Sequence, residues 1–365
     1  MEINKGNRLK SLDIVKGIAM IMVILVHYNQ EFKPDVPVFR YFQMGCPMFF
    51  VASGFGVASL ISNKYLDINK RETAISFFLS RLKAILPAWY FSFVLLRIFN
   101  VIFKATLGMN LSYCSNNNFF DVLCNLTLIH GIISSANNTV MPGGWYIGTM
   151  IILYMLTPLV ITLINKYNNR RTIFLISSSI SLFLWIILFM IFRDYLLFNE
   201  FGYYLFLNHY PSYYLGIMLF YDLKEKILDN KRILVYMVIS LFLYLFAIVL
   251  FMTNLYGRSF FTSWITALAT YFLLYSLVSF EYSNKIKGFS IIADIGKNSL
   301  YIYLFQALFS WTFVEIVKMV LSNYSIDINN WVCFVFIMPL VIALSYIFGV
   351  LIKKVVLLLQ KTISK

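Results

Sequence analysis

Apolar stretches of about twenty residues recur ten times along this chain, near 14–32, 43–61, 85–106, 144–164, 173–192, 201–221, 233–253, 260–280, 291–316 and 331–352. A helix of that length crosses the roughly 30 Å hydrocarbon core of a bilayer. The composition agrees: 60% of residues are hydrophobic and 13% charged, with a mean hydropathy of +0.77, against about 45–50% and 25% in ordinary soluble domains. A soluble fold has no interior large enough to hide that apolar surface. A disordered binder is excluded on the same ground. The expectation is an all-α polytopic membrane protein of about ten transmembrane helices. Without an internal repeat or a low-complexity linker, residues 1–365 read as one domain.

The 30 Lys and Arg outnumber the 16 Asp and Glu, yet they form no single patch of the kind that binds nucleic acid. They sit in the connections. One set of alternate connections, with the two termini, holds 23, among them Lys16, Lys64, Lys70, Arg71, Arg81, Lys83, Lys166, Arg170 and Arg171. The opposite side and the spans hold seven: Lys33, Arg40, Arg97, Lys104, Arg193, Arg258 and Lys318. Cytoplasmic loops carry the positive excess, so both termini are expected in the cytoplasm. The basic start of the chain leads straight into a span without a small-residue cleavage site, so no removable signal is expected.

One connection, 107–143, is too long for a turn and has a moderately apolar middle, FFDVLCNLTLIHGII. It reads as a re-entrant or interfacial element on the outer side. Cys46, Cys114, Cys124 and Cys333 show neither CxxC nor metal spacing and read as unpaired thiols, with a Cys114–Cys124 pair as the alternative. Arg97, inside the third span, requires a partner. Asp294 and Lys297, three residues apart at the start of the ninth span, suit a local ion pair.

The first span is the most informative. After Lys16 its uninterrupted apolar run, Gly17 to Val26, covers only about half of a bilayer core. The helix must therefore carry His27, Tyr28, Asn29, Gln30 and Glu31 at membrane depth, which implies a cavity. Lys16 and His27 are eleven residues apart, about 20° beyond three full turns, so they share one helix face some 16 Å apart along its axis. Histidine is the side chain suited to proton transfer near neutrality, and Glu31, four residues on, could orient it or hold its proton. The same placement also suits a histidine hydrogen-bonded between packed helices.

LDIVKGIAMIMVILVHY (Leu12–Tyr28) resembles the opening of the integral-membrane acyltransferase-3 family, whose signature is a basic residue, ten intervening residues and a histidine. Four further segments resemble the family's motifs in order: MFFVASGFGVAS (Met48–Ser59), SRLKAILPAWY (Ser80–Tyr90), PGGWYIGTMIILYMLTP (Pro142–Pro158) and GKNSLYIYLFQ (Gly296–Gln306). The resemblance implies transfer of an acyl group, usually acetyl from acetyl-CoA, to a hydroxyl of a surface or exported glycan. It implies that His27 is the essential histidine and that Lys16 and Arg81, with Lys83 beside them, meet a cytoplasmic acyl-CoA. The basic 64–83 loop suits the donor's phosphates. No metal or redox cofactor is implied. The chain departs from the family's pattern at Ala84, where a second Arg is frequent, at Met150, where many members have Glu, and at Gln306, where His is frequent.

Trp145 and Tyr146 are expected to wall an acceptor pocket, though an interfacial aromatic belt would use them equally. Ser53 lies in ASGFG, which is not a nucleophile elbow. Ala52, Gly54, Gly56 and Ala58 around it read as a small-residue stripe that lets the second helix approach the first and brings Ser53 near His27. His130 could line the acceptor site from the outer segment or serve structure, and His209 reads as structural. The rival reading is a transporter or exporter of a glycan or lipid-linked precursor. Against it, no paired broken helices appear in corresponding halves. A third is an inactive family member that binds lipid or a partner. Abundant Phe, Tyr, Ile, Asn and Lys with only eight Pro fits an AT-rich bacterial genome, and hence a bacterial cytoplasmic membrane.

Overall fold

The structure, a computed structural model, describes residues 8–31, 36–111, 114, 118–192, 202–253, 260–284, 286–324 and 330–363. It is 86% helical and strand-free among the described residues. In chain order the helices are α1 (Lys10–Asn29), α2 (Gly45–Lys64), α3 (Arg71–Leu107), α4 (Phe119–Leu126), α5 (Gly144–Tyr167), α6 (Arg170–Phe192), α7 (Phe206–Glu225), α8 (Asn230–Met252), α9 (Phe260–Ser283), α10 (Ser290–Lys297), α11 (Ser299–Ala307), α12 (Val314–Asn323) and α13 (Asn330–Ile363). A stretch of π-helix, Leu308–Phe313, joins α11 to α12.

Nine segments among the described residues are long and apolar enough to cross a membrane. The expected sixth span, α7, has the length but is polar, and 16 of its 20 residues are buried. A helix enclosed by other helices meets no lipid, so it can carry Asn208, His209, Ser212 and Asp222. The peripheral helices show the reverse. Only Ser178 and Ser181 are buried in α6, and Ser181 donates to the Leu207 carbonyl at 2.7 Å while Ser240 of α8 donates to that of Ala269 at 2.9 Å. Lipid outside and small polar groups inside is the pattern of helix association in hydrocarbon.

Three of the sequence expectations are corrected here. The small-residue stripe of α2 meets α7 rather than α1: a Cβ on Gly54 would stand 1.9 Å from the Tyr213 carbonyl oxygen, and one on Gly216 would stand 1.9 Å from that of Val51, while Gly56 faces open space. The expected ninth span, 291–316, is broken at Asn298, so that α10 is a separate helix and the crossing segment runs Ser299–Asn323. Asp294 accordingly takes Tyr346 and Asn298 as its partners in place of Lys297.

The first helix is clamped along its inner length. A Cβ on Gly17 would stand 1.9 Å from the Ile292 carbonyl oxygen, and one on Gly296 would stand 1.8 Å from that of Asp13. The Glu281 carboxylate accepts from the Lys10 and Ser11 amides, each at 2.8 Å, which satisfies two of the helix's orphan donors.

The described residues of the outer segment 107–143 fold back onto the bundle. The Gly131 backbone lies against that of Gly148, close enough that a Cβ on Gly131 would stand 2.5 Å from the Gly148 carbonyl carbon. Arg97 finds its partners in this segment, the Cys114 sulfur at 2.7 Å and the Val140 carbonyl at 3.3 Å, with Phe93 beneath the guanidinium. Cys46, Cys114 and Cys124 are free thiols. The Cys333 side chain lies outside the described residues.

Gly296→Val forces α10 away from α1 and should destabilise the protein by about 1–3 kcal/mol, the usual range for overpacking. Gly56→Ala should leave stability unchanged. Thermal melts of the two variants, followed by size-exclusion chromatography, read the difference.

Candidate functional site

Lys16 and His27 open onto different hollows. His27 lines an outer cavity of about 640 Å³ whose wall includes Asn29, Gln30, Asn138, Trp145, Tyr203, Tyr204, Tyr303 and Trp311. Lys16 lines an inner cavity of about 210 Å³ with Ser53, Ala84, Tyr146, Met150 and Tyr154. Tyr303 lines both. Its hydroxyl donates to the Gly143 carbonyl at 2.7 Å, and Gly143 occupies the left-handed region at φ 72°, where only glycine sits without strain.

The imidazole is held from the late motif. His27 Nδ1 lies 3.1 Å from Gln306 Oε1, and Ser310 Oγ lies 3.3 Å from the same oxygen. With Gln306 in this orientation its amide oxygen can accept from Nδ1–H, and that tautomer leaves Nε2 its lone pair. The Trp311 indole N–H donates to the His27 carbonyl at 3.2 Å, and its ring stands edge-on to the imidazole at 5.2 Å and 85°. Ser310 and Trp311 belong to the π-helical stretch. The extra residue per turn there re-aims side chains that a regular helix would point elsewhere, a common device at functional sites.

Other expected site residues fall in different places. Trp145 lines the outer cavity, stacked on Tyr204 at 4.8 Å and 24° and on His209 at 5.4 Å and 28°. Tyr146, one residue on and so 100° around the helix, faces the inner cavity, which Ser53 also lines. Ser53 is thus on the Lys16 side. Arg81 lies close enough to interact with both Lys16 and Tyr154. Ala84, three residues further along the same face, lines the inner cavity, whereas Lys83 is exposed and off its wall.

Glu31 lies just past the end of α1, in a third cavity of about 330 Å³ with Glu315. The His27 ring nitrogen pairs with Gln306, and Lys318 donates to the Glu31 carbonyl. Burial pushes the Glu31 carboxyl up from its ordinary range, with Lys318 opposing and Glu315 adding to the shift. His130 is off the cavity walls and fully buried, stacked on Trp89 at 5.3 Å and 3°, with Nε2 2.9 Å from the Gly144 carbonyl. It ties the outer segment to the start of α5 and so supports the Gly143 turn from behind.

Gln306, Tyr303 and Trp311 are the neighbours that reading the sequence did not select. Gln306 carried a signal, a polar residue inside an apolar run at the end of a motif. Tyr303 lay in the same motif, and Trp311 carried none, since an aromatic residue in a span is ordinarily packing.

Residues 9–350 match the family described as the acyltransferase domain. The O-acetyltransferase OatA of Staphylococcus aureus, in strain NCTC 8325 and again in strains COL and MRSA252, is 28% identical over 193 residues. That match covers 51% of this chain and 30% of the relative's own length. No solved structure matches.

Burial holds the His130 imidazole below its ordinary value, the Gly144 carbonyl partly opposing. The neutral ring is therefore the folded form. The stability it contributes is complete above the free-histidine pKa of about 6.5 and is lost as pH falls below it. Melting temperature should drop from pH 7.5 to pH 5, and His130→Phe should shrink that drop. An equal drop in the variant would show that the outer segment is not held this way.

Proposed function

Because the chain belongs to the acyltransferase-3 family, we propose that it is a membrane O-acyltransferase that moves an acyl group, in the first place acetyl, from cytoplasmic acyl-CoA to a hydroxyl of a cell-surface or exported polysaccharide. The membrane is then the bacterial cytoplasmic membrane, with the Lys16 end of α1 toward the cytoplasm. The observation that carries this reading is the pairing of His27 with Gln306 on the outer cavity while Lys16, on the same helix, lines a separate inner one. The staphylococcal relatives are named as O-acetyltransferases, which supports acetyl as the group.

In the proposed reaction the phosphates of acyl-CoA meet Lys16 and Arg81, and the acyl end enters among Ser53, Tyr146 and Met150. The acceptor ring stacks on Trp145, since aromatic faces suit the apolar faces of sugars. His27 Nε2 takes the proton of the attacking hydroxyl. The oxygen bonds to the thioester carbonyl carbon, the C–S bond breaks, and the thiolate leaves to receive a proton. Gln306 acts by holding the tautomer that leaves Nε2 free. Tyr303, bonded to Gly143 and shared by both cavities, is the partition across which donor and acceptor meet.

Mass spectrometry of the surface glycan tests the reading. Cells making the chain should add one acyl mass per modified unit, and His27→Ala at equal membrane level should abolish it. Gln306→Leu should lower turnover by about 10–100-fold, the scale of a disturbed general base. Unchanged acylation with altered glycan export would favour the exporter, and neither change would favour an inactive member.

Donor recognition has its own test. Lys16→Gln should raise the KM for acetyl-CoA by about tenfold, a lost charge-assisted contact. Lys83→Gln, exposed and off the inner cavity, should change it less than about twofold. Equal effects from the two would place the donor elsewhere.

A further inference from the structure

The third cavity is a hollow of the size range of small-ligand pockets, about 300–1,000 Å³, and it adjoins the His27 cavity. Its volume is about 330 Å³, and Gln30 and Trp311 line both hollows. Trp311 is a fixed wall between them, pinned through its indole N–H to the His27 carbonyl and set edge-on to the imidazole. Beyond it the lining is Glu31, Met109, Asn110, Leu111, Thr312 and Glu315. Two carboxylates, an amide and a hydroxyl offer many hydrogen-bond acceptors and a few donors, and the indole adds an apolar surface. Lys318, on the Glu31 carbonyl, joins α12 to the end of α1 and compensates part of the negative charge.

That mixture matches a ring carrying several hydroxyls: carboxylates accept from neighbouring O–H groups in charge-assisted bonds, and the indole packs against C–H. Glu31 follows His27 by four residues, roughly one helical turn, so a molecule seated here lies next to one reacting at the imidazole. We propose that this hollow is an acceptor subsite that holds the sugar unit adjoining the one acylated, so that the protein acts on oligomeric or polymeric glycan in preference to free single sugars. The proposal rests on the acyltransferase reading above. It deepens that reading by giving Glu31 and Glu315 a binding task separate from the chemistry at His27. A unit bearing a carboxylate or phosphate is disfavoured here, because like charges would be brought together.

The test uses membranes holding the full chain, radiolabelled acetyl-CoA, and fragments of the host surface glycan of one, two and four units. The two-unit fragment should exceed the one-unit fragment in kcat/KM by about tenfold, mainly through KM, as expected of binding away from the reacting atoms. Glu315→Gln and, separately, Asn110→Ala should bring that ratio to within about twofold of one. A ratio near one in the unaltered chain, or a ratio that survives both substitutions, would overturn the subsite. Transfer to the one-unit fragment keeps the two ideas apart. With it, a flat ratio sinks only the subsite; no transfer to any fragment takes down the acyltransferase reading as well.

Discussion

Everything at the site depends on how α1 is held. In hydrocarbon there is no water to drive helices together, so close backbone packing and hydrogen bonds must set their register. Gly17 against Ile292 and Gly296 against Asp13 bring α1 and α10 to backbone contact, and Glu281 closes on the first amides of α1. At the far end the Tyr28 hydroxyl donates to the Phe334 carbonyl at 2.8 Å, and Asn29 exchanges hydrogen bonds with the Val36 backbone. A helix pinned at both ends cannot slide or rotate. The eleven residues from Lys16 to His27 therefore become a fixed separation between a cation in one cavity and an imidazole in another.

The aromatic residues then do two kinds of work. Trp145, Tyr203 and Tyr204 wall the outer cavity, and His209 backs them, stacked on Trp145 and edge-on to Tyr203. Tyr303 sits where the outer and inner hollows meet. In the proposed reaction such a partition would keep bulk water away from the thioester, which is otherwise lost to hydrolysis. The polar Gly143 turn, braced by Asn138 on its amide and by Tyr303 on its carbonyl, shows why the outer segment folds back into the bundle. It supplies backbone groups that a continuous helix keeps for itself.

Much of the frame was legible in advance because hydropathy answers to lipid, a uniform solvent that acts on each segment separately. The apolar runs, the shared face of Lys16 and His27, and the family motifs all follow from local order. The misreadings share one cause. The neighbour of the Gly54 stripe, the partner of Asp294 and the break at Asn298 are set by which helix lies opposite. Nothing within a span encodes that. The same holds for α7, whose polarity makes sense only once its complete enclosure is seen.

At the site the division is sharper. Period and spacing determined that a cation and a histidine share one face of a buried helix, and the family resemblance put Trp145 and Tyr146 at a pocket. Only the folded chain decided that adjacent aromatics face opposite hollows, since a step of 100° separates them and a helix on each side gives them different surroundings. It also decided that Gln306, 279 residues away along the chain, holds the imidazole in place of Glu31, and that Ala84 lines the inner cavity while Lys83 does not. A sequence specifies which groups a helix carries and at what angles. Which of them meet depends on the packing of helices distant in the chain, and that packing is a property of the whole bundle.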